Sequence, residues 1–170
     1  MSIWDTFFAK TNAAPDFTSR LHKKVDSLFP NKSPEEILLA TCIAGLMARV
    51  AYADMKIENS EKDSMKKALS HLSNLNKEEV DAITTLAIDE VKDLAGLENH
   101  LYCKPISENL SEMERFDIVK ALFELAASDG GASNNEGEEI RYICTALLLE
   151  HKHFIAARAG VLDKLDSLKN

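Results

Sequence analysis

The sequence is poor in the residues that mark stapled, fibrous or membrane-spanning chains. Its three cysteines are an odd number and form no CxxC pair, so neither a disulfide framework nor a four-cysteine zinc site is indicated. Six glycines, four prolines and 6% aromatic residues exclude collagen-like and low-complexity chains. The longest uncharged apolar-rich run, 37–48, is shorter than the about 20 residues that a membrane-spanning helix needs. We therefore expect a cytoplasmic protein without disulfides and without an integral membrane segment.

The residues that are abundant indicate one helical domain. A chain of 170 residues, 45% of them hydrophobic, can bury a core without a disulfide or metal staple. The net charge of −8 repels phosphates at long range, so nucleic acid is not an expected partner. Apolar residues recur at helical spacing, and no run alternates as a strand does. These patterns predict an all-α fold, a single compact domain over 1–170 with about seven to eight helices.

Capping boxes headed by serine mark the clearest helix starts. Ser33 with Glu36 opens a helix whose apolar face runs to about Asp54, and the width of that face indicates a central, mostly buried helix. Ser111 with Glu114 opens a second helix. Further helices are predicted over about 59–72, 76–94, 135–147 and 154–168.

The chain also repeats itself at a distance of 75 positions. The matched pairs include Ile43 with Ile118, Ala51 with Ala126, Asp54 with Asp129, Glu61 with Glu136 and Leu72 with Leu147. Such a repeat indicates one helical unit used twice, over about 33–97 and 108–168, after an N-terminal helical extension over 1–32. Because neither unit closes its own core, we expect two pseudo-symmetric halves packed face to face. Residues 98–110, with Pro105 and weak periodicity, are predicted to form the main connection.

Each half places an aspartate after its central helix and a glutamate seven residues later, Asp54 with Glu61 and Asp129 with Glu136. The helix dipole favours the glutamates, whereas an aspartate at a helix carboxyl end costs about 0.3–1 kcal/mol, so the aspartates are the unusual residues. One interpretation is that each aspartate accepts hydrogen bonds from its own loop, with Gly130 supplying a positive φ. The other is that the packed halves bring all four carboxylates around a shared divalent cation.

Two further groups of residues are weaker candidates. His151 and His153, with Glu150 nearby, could hold zinc in an extended turn, although two residues this close diverge on a helix. Trp4 and Phe8 lie on an apolar face that could dock on the core or bind a membrane or partner helix. No serine or cysteine has a recognisable base and orienting acid, so no enzyme is predicted. A metal-dependent hydrolase is a third class, which would need an open coordination position.

The paired loops resemble the tellurite-resistance TerB-like family, whose repeats carry a signature close to A-x-A-D-G-x-I-x-x-x-E. The first copy, over 51–61, reads AYADMKIENSE, and the second, over 126–136, reads AASDGGASNNE. The resemblance covers about 33–160 and implies an all-α domain of two related halves, cytoplasmic, bacterial and without established catalysis. It also implies an acidic surface that is a candidate for metal binding, and association with stress-response systems at the inner face of the membrane. Met55 replaces the usual glycine, and Ala132 replaces a branched apolar residue.

The expected function is therefore a non-enzymatic binding module related to tellurite and stress tolerance. In this hypothesis the acidic loop pair holds a cation or a basic partner surface. The alternative is a metal-independent interaction module whose apolar amino end or acidic face docks a membrane-associated protein.

Overall fold

A computed structural model describes residues 20–94 and 99–169, which form eight α-helices and no strand. The helices are α1 (Arg20–Leu28), α2 (Pro34–Ala51), α3 (Asn59–Leu72), α4 (Lys77–Leu94), α5 (Asn99–Asn109), α6 (Glu112–Ala126), α7 (Asn134–Ala146) and α8 (His151–Lys169). The prediction of an all-α fold is confirmed. The predicted apolar face at Trp4 and Phe8 lies outside the described residues.

The helix starts follow the predicted capping boxes. At the start of α2, the Ser33 hydroxyl accepts from the Glu36 N–H at 3.2 Å, and the Glu36 carboxylate accepts from the Ser33 N–H at 3.0 Å. Ser111 and Glu114 make the same two bonds at the start of α6. These bonds satisfy backbone donors that a helix otherwise leaves unpaired, which is why the starts can be recognised from sequence.

Helix α2 is the centre of the fold. Fourteen of its 18 residues are buried, so it is apolar on every side, as a fully surrounded helix must be. It packs against α1, α3, α4, α5, α6 and α7, while α8 covers α6 and α7. The core is therefore one continuous cluster built around α2.

Two helices, α3 and α7, each pack on the central helix of their own sequence segment and on that of the other segment. We call this crosswise packing, with α2 and α6 as the two central helices. Helix α3 contacts α6 as well as α2, and α7 contacts α2 as well as α6. Each of these two helices thus lies between both central helices, and the amino ends of α3 and α7 approach each other. The approximate two-fold relation between the halves stays a prediction.

The predicted connection over residues 98–110 is wrong, because Asn99–Asn109 form helix α5, which packs extensively on α2. Tyr102, Cys103, Ile106 and Leu110 are all buried, and their spacing is a helical stripe. Pro105 lies inside α5, where it removes one backbone hydrogen bond. Burial of a large apolar side chain contributes about 1.5–3 kcal/mol, so the stripe outweighs that local loss.

Candidate functional site

The chain leaves both central helices through the same kind of turn. After α2 the Met55 N–H donates to the Tyr52 carbonyl at 2.9 Å, and after α6 the Gly130 N–H donates to the Ala127 carbonyl at 3.1 Å. Met55 has φ +69° and Gly130 has φ +118°, which is the left-handed region that favours glycine. Met55, which replaces the usual glycine, therefore adopts the same kind of turn. Its backbone conformation is strained for a residue with a side chain.

Both loops then open a helix with a glutamate at its third position. The Glu61 carboxylate accepts from the Glu58 N–H at 2.6 Å, and the Glu136 carboxylate accepts from the Ser133 N–H at 2.7 Å. The Ser133 hydroxyl in turn accepts from the Glu136 N–H at 3.2 Å. Each glutamate thus closes the amino end of its own helix, where the helix dipole favours a negative charge.

These two glutamates meet in the interior. Glu61 is 4% exposed and Glu136 is 5% exposed, and the Glu61 carboxyl group lies within hydrogen-bonding reach of that of Glu136. Two carboxyl groups can share a hydrogen bond only when one of them holds a proton. The structure therefore brings together one predicted site residue from each half.

Several effects act on the proton of this pair. The pKa of Glu61 is raised from 4.5 to about 7, most of all by burial, and also by the Glu136 charge, the hydrogen bond to Glu136 and the Asp54 charge. The hydrogen bond from the Glu58 backbone lowers the pKa but does not offset the rise. Glu61 thus gains or loses its proton near neutral pH, in contrast to an ordinary surface glutamate.

The two aspartates are more exposed than the glutamates. Asp54 accepts a hydrogen bond from the Lys56 N–H at 3.2 Å, which is the local turn of the first interpretation, and its charge also reaches Glu61. Asp129 lies exposed on the loop after α6. Across 20–94 and 99–169, no group of three or more His, Cys, Asp and Glu side chains is arranged to hold a metal ion. The four-carboxylate cation site stays a prediction.

The sequence directed attention to the aspartates, whereas the chemically unusual groups are the glutamates. A glutamate in a first helical turn is ordinary on a surface, and only the meeting of α3 and α7 makes Glu61 and Glu136 unusual. Sequence reasoning missed Ser133 as the cap of α7. Its spacing of three residues from Glu136 was the available signal.

The histidine pair has a structural role. His153 Nδ1 accepts from the Glu150 N–H at 3.2 Å, and its Nε2 lies 3.1 Å from a Glu112 carboxylate oxygen. The Nδ1 bond is local to the start of α8, and the Nε2 contact joins that start to the start of α6. The His151 ring stacks instead on Phe154, 5.7 Å between centroids. The two imidazoles are therefore used separately.

None of the described helices combines the length and the apolar content that a bilayer span requires.

Comparison with known proteins identifies the family. A family model described as tellurite resistance protein TerB matches residues 40–159, which include both acidic loops and the helices that follow them. Neither curated proteins nor solved structures give a match. The family match spans most of the 170 residues, and on that ground the chain belongs to the tellurite resistance protein TerB family.

Proposed function

We propose that this protein is a non-enzymatic cytoplasmic binding module, related to tellurite and general stress tolerance, whose acidic loop pair binds a divalent cation. The observation that carries the proposal is the contact between the buried carboxyl groups of Glu61 and Glu136. Two buried carboxylates repel each other unless they share a positive charge. A proton meets this need near neutral pH, and a divalent cation meets it with oxygen ligands of the type it prefers.

The loop aspartates are the further ligands in this proposal. Because Glu61 and Glu136 stand at the positive ends of two helices, the helix dipoles oppose a cation at this point. Two carboxylates alone would therefore hold a divalent ion weakly. Asp54 and Asp129, exposed on the loops that lead into these helices, supply the remaining negative charge. We also propose that the two loops are related by the approximate two-fold symmetry that the sequence repeat predicts.

Calorimetric titration of chelator-treated protein with calcium, magnesium, manganese and zinc tests the cation. We expect binding of at least one cation together with release of a proton, measured in two buffers of different ionisation enthalpy. Glu61→Gln should abolish binding, and Asp54→Asn combined with Asp129→Asn should weaken it at least about tenfold, which is about 1.4 kcal/mol. No heat and no melting shift at millimolar metal would contradict the proposal.

The matched control is Asp63→Asn. Asp63 lies on α3 two residues after Glu61 and is exposed, so the variant removes one negative charge without touching the glutamate pair. Binding should persist in this variant. Equal loss in Asp63→Asn and Glu61→Gln would show that overall charge, and not the pair, attracts the cation.

A metal-independent docking module is the second candidate function. Met55 favours it, because this side chain is 68% exposed at the tip of the first loop, beside Asp54. An exposed apolar group beside an acidic side chain suits a basic and apolar partner surface. Capture of a membrane-associated protein in the presence of chelator should then be lost with Met55→Ser. Dependence on Trp4 and Phe8 instead would place the contact at the amino end.

A further inference from the structure

Helix α1 covers a groove between α2 and α4 and makes few apolar contacts there. It contacts both helices, and two of its nine residues are buried, Leu21 and Val25. These residues are four apart, so a single stripe of α1 supplies its buried apolar surface. We call the surface beneath this stripe the α1 groove. Its apolar wall around Leu21 is formed by Gly45 of α2, Ala87 and Val91 of α4 and Tyr102 of α5.

The α1 groove also contains a buried negative charge that α1 neutralises. Glu90 of α4 is 4% exposed. Its Oε2 lies 3.0 Å from Arg20 Nε, and its Oε1 contacts the Lys24 ammonium. Arg49 lines the same surface, but its guanidinium pairs with Glu139. In the described part of the chain, both cations paired with Glu90 thus come from α1, and a buried carboxylate without a cation is costly.

The contacts allow α1 to leave the groove while the rest of the domain stays in place. Helix α1 has nine residues, and an isolated helix shorter than about 12–15 residues is marginal in water. After α1, Lys32 Nζ lies 3.1 Å from a Glu79 carboxylate oxygen and donates to the Asn74 carbonyl at 3.3 Å. This anchor holds the chain ahead of α2, so residues 29–31 can act as a hinge. The groove lies within the family match over 40–159, whereas α1 precedes it.

We infer that the α1 groove is a docking surface for a basic amphipathic helix of a partner protein, and that α1 occupies it as an internal competitor. Helix α1 carries the pattern that such a partner needs, two basic residues four apart, each followed by an apolar residue. The basic groups reach Glu90 and the apolar groups fill the wall, as in other helix-in-groove contacts. The net charge of −8 favours a basic partner over a second copy of this chain. The surface includes no residue of the acidic loops.

Hydrogen exchange of the full chain tests whether α1 leaves the groove. We expect the amides of Lys24 to Leu28 to exchange at least about 100-fold faster than those of the buried segment 40–48 in α2. The opening should respond little to low urea, because it exposes little surface. The amides of 87–91 in α4 should stay protected. Exchange of α1 only through global unfolding would overturn the inference.

A helical peptide tests the groove itself. The probe is the segment 20–29 with Ser27→Glu and a lactam bridge from Lys23 to the introduced carboxylate, since both positions are exposed. Leu21→Asp with Val25→Asp in the full chain gives the freed variant, in which α1 no longer fits and the groove is unchanged. The peptide should bind the freed variant at least about tenfold more tightly than the unaltered protein, whose own α1 competes. No binding to the folded freed variant would contradict the inference.

Charge variants test recognition by Glu90. In the freed variant, Glu90→Gln should weaken peptide binding at least about tenfold. The matched control is Asp89→Asn, because Asp89 is the neighbouring acid on α4 and is exposed. This control should leave binding unchanged. Equal effects of the two substitutions would show that Glu90 does not select the basic helix.

Two further measurements separate the possible occupants. An alanine-based helical peptide that keeps only the two basic–apolar pairs should bind the freed variant as the first peptide does, and failure to bind would contradict recognition of the pattern. A dimer of the unaltered protein that the peptide dissociates would assign the groove to a second copy and contradict the partner. If the freed variant does not fold, NMR titration of the unaltered chain decides. Millimolar peptide should shift the amide signals of Ala87 and Val91, and unchanged signals would overturn the inference.

Discussion

Glu61 and Glu136 show how position changes the chemistry of an ordinary residue. Each closes a capping box on its own helix, where an ionised carboxylate is normally stable. Burial of both side chains against each other removes water from the pair, and desolvation disfavours the charged form. A residue that would normally only cap a helix has become the centre of the candidate site.

The raised pKa of Glu61 predicts how stability depends on pH. Between the ordinary pKa of 4.5 and the folded-state value of about 7, the folded protein holds a proton that the unfolded chain has lost. This contribution is therefore complete below about pH 4.5 and is lost as the pH rises through about 7, a change on the order of 3 kcal/mol. Glu61→Gln is neutral at every pH, so the excess of its unfolding free energy over that of the unaltered protein should be about 2 kcal/mol larger at pH 8 than at pH 5.

Urea unfolding at several pH values, in buffer with a chelator, measures this difference. Asp63→Asn serves as control, because Asp63 is exposed on the same helix, and its difference from the unaltered protein should not change over the range. A Glu61→Gln difference that stays constant from about pH 5 to about pH 8 would show that the pair holds no extra proton.

Met55 carries a backbone strain that a single substitution can remove. With φ +69° it occupies the left-handed region, which costs a residue with a side chain about 1–2 kcal/mol. Met55→Gly should raise the unfolding free energy by about 0.5–1 kcal/mol, since the relief exceeds the entropy that glycine loses on folding. Met55→Ala removes the same exposed side chain but keeps the strain, so it should not stabilise. Equal denaturant midpoints for the two variants would contradict this account.

Among the helices, α5 depends most on its neighbours. Pro105 and weak periodicity argue locally against a helix, yet the chain is helical over Asn99–Asn109. Contact with α2 stabilises the helix, because the apolar stripe of α5 is removed from water only when another helix covers it. Tyr102 approaches α2 closely, since its ring lies over Gly45 of α2.

Gly45→Ala tests that approach between α2 and α5. A Cβ at position 45 would lie 2.9 Å from Tyr102 Cε1 and Cζ, so the ring or the helix must move. We expect a net loss of about 1–2 kcal/mol in unfolding free energy, because overpacking costs about 1–3 kcal/mol and outweighs the gain of about 1 kcal/mol in helix propensity.

Gly160→Ala is the matched control for that substitution. Position 160 is exposed on α8, and a Cβ there meets nothing within 4 Å. This variant should gain up to about 1 kcal/mol. If both alanine variants are stabilised, Tyr102 is not packed tightly on α2.

For the molecule as a whole, the crosswise packing of α3 and α7 makes the two halves depend on each other. Neither half can lose its second helix without exposing the central helix of the other. The domain should therefore unfold as one unit, although the sequence predicts two repeated units.

Core truncations in each half test this cooperativity. Leu69 of α3 and Ile140 of α7 are fully buried, and each change to alanine should cost about 2–5 kcal/mol. In calorimetry both variants should shift one and the same transition, with the calorimetric enthalpy equal to the van't Hoff enthalpy. Two transitions, of which each variant moves only one, would show that the halves unfold separately.

Prediction from sequence succeeded where the physical cause is local. The boxes at Ser33 and Ser111 fixed two helix starts, because three or four residues contain the whole hydrogen-bond pattern. The same reasoning failed for α5 and gave the aspartates more weight than the glutamates. In both cases the deciding contact joins residues far apart in the chain, such as Tyr102 with Gly45 or Glu61 with Glu136.

The amino-acid sequence alone established the helical class, most helix positions, the two acidic loops and the resemblance to the family. These features depend on periodicity, capping and short motifs, which act over a few residues. The packing of the helices settled that α5 is helical and that Glu61 and Glu136 share a buried position. Desolvation and side-chain contact arise only when distant helices pack together, and no local pattern contains that information.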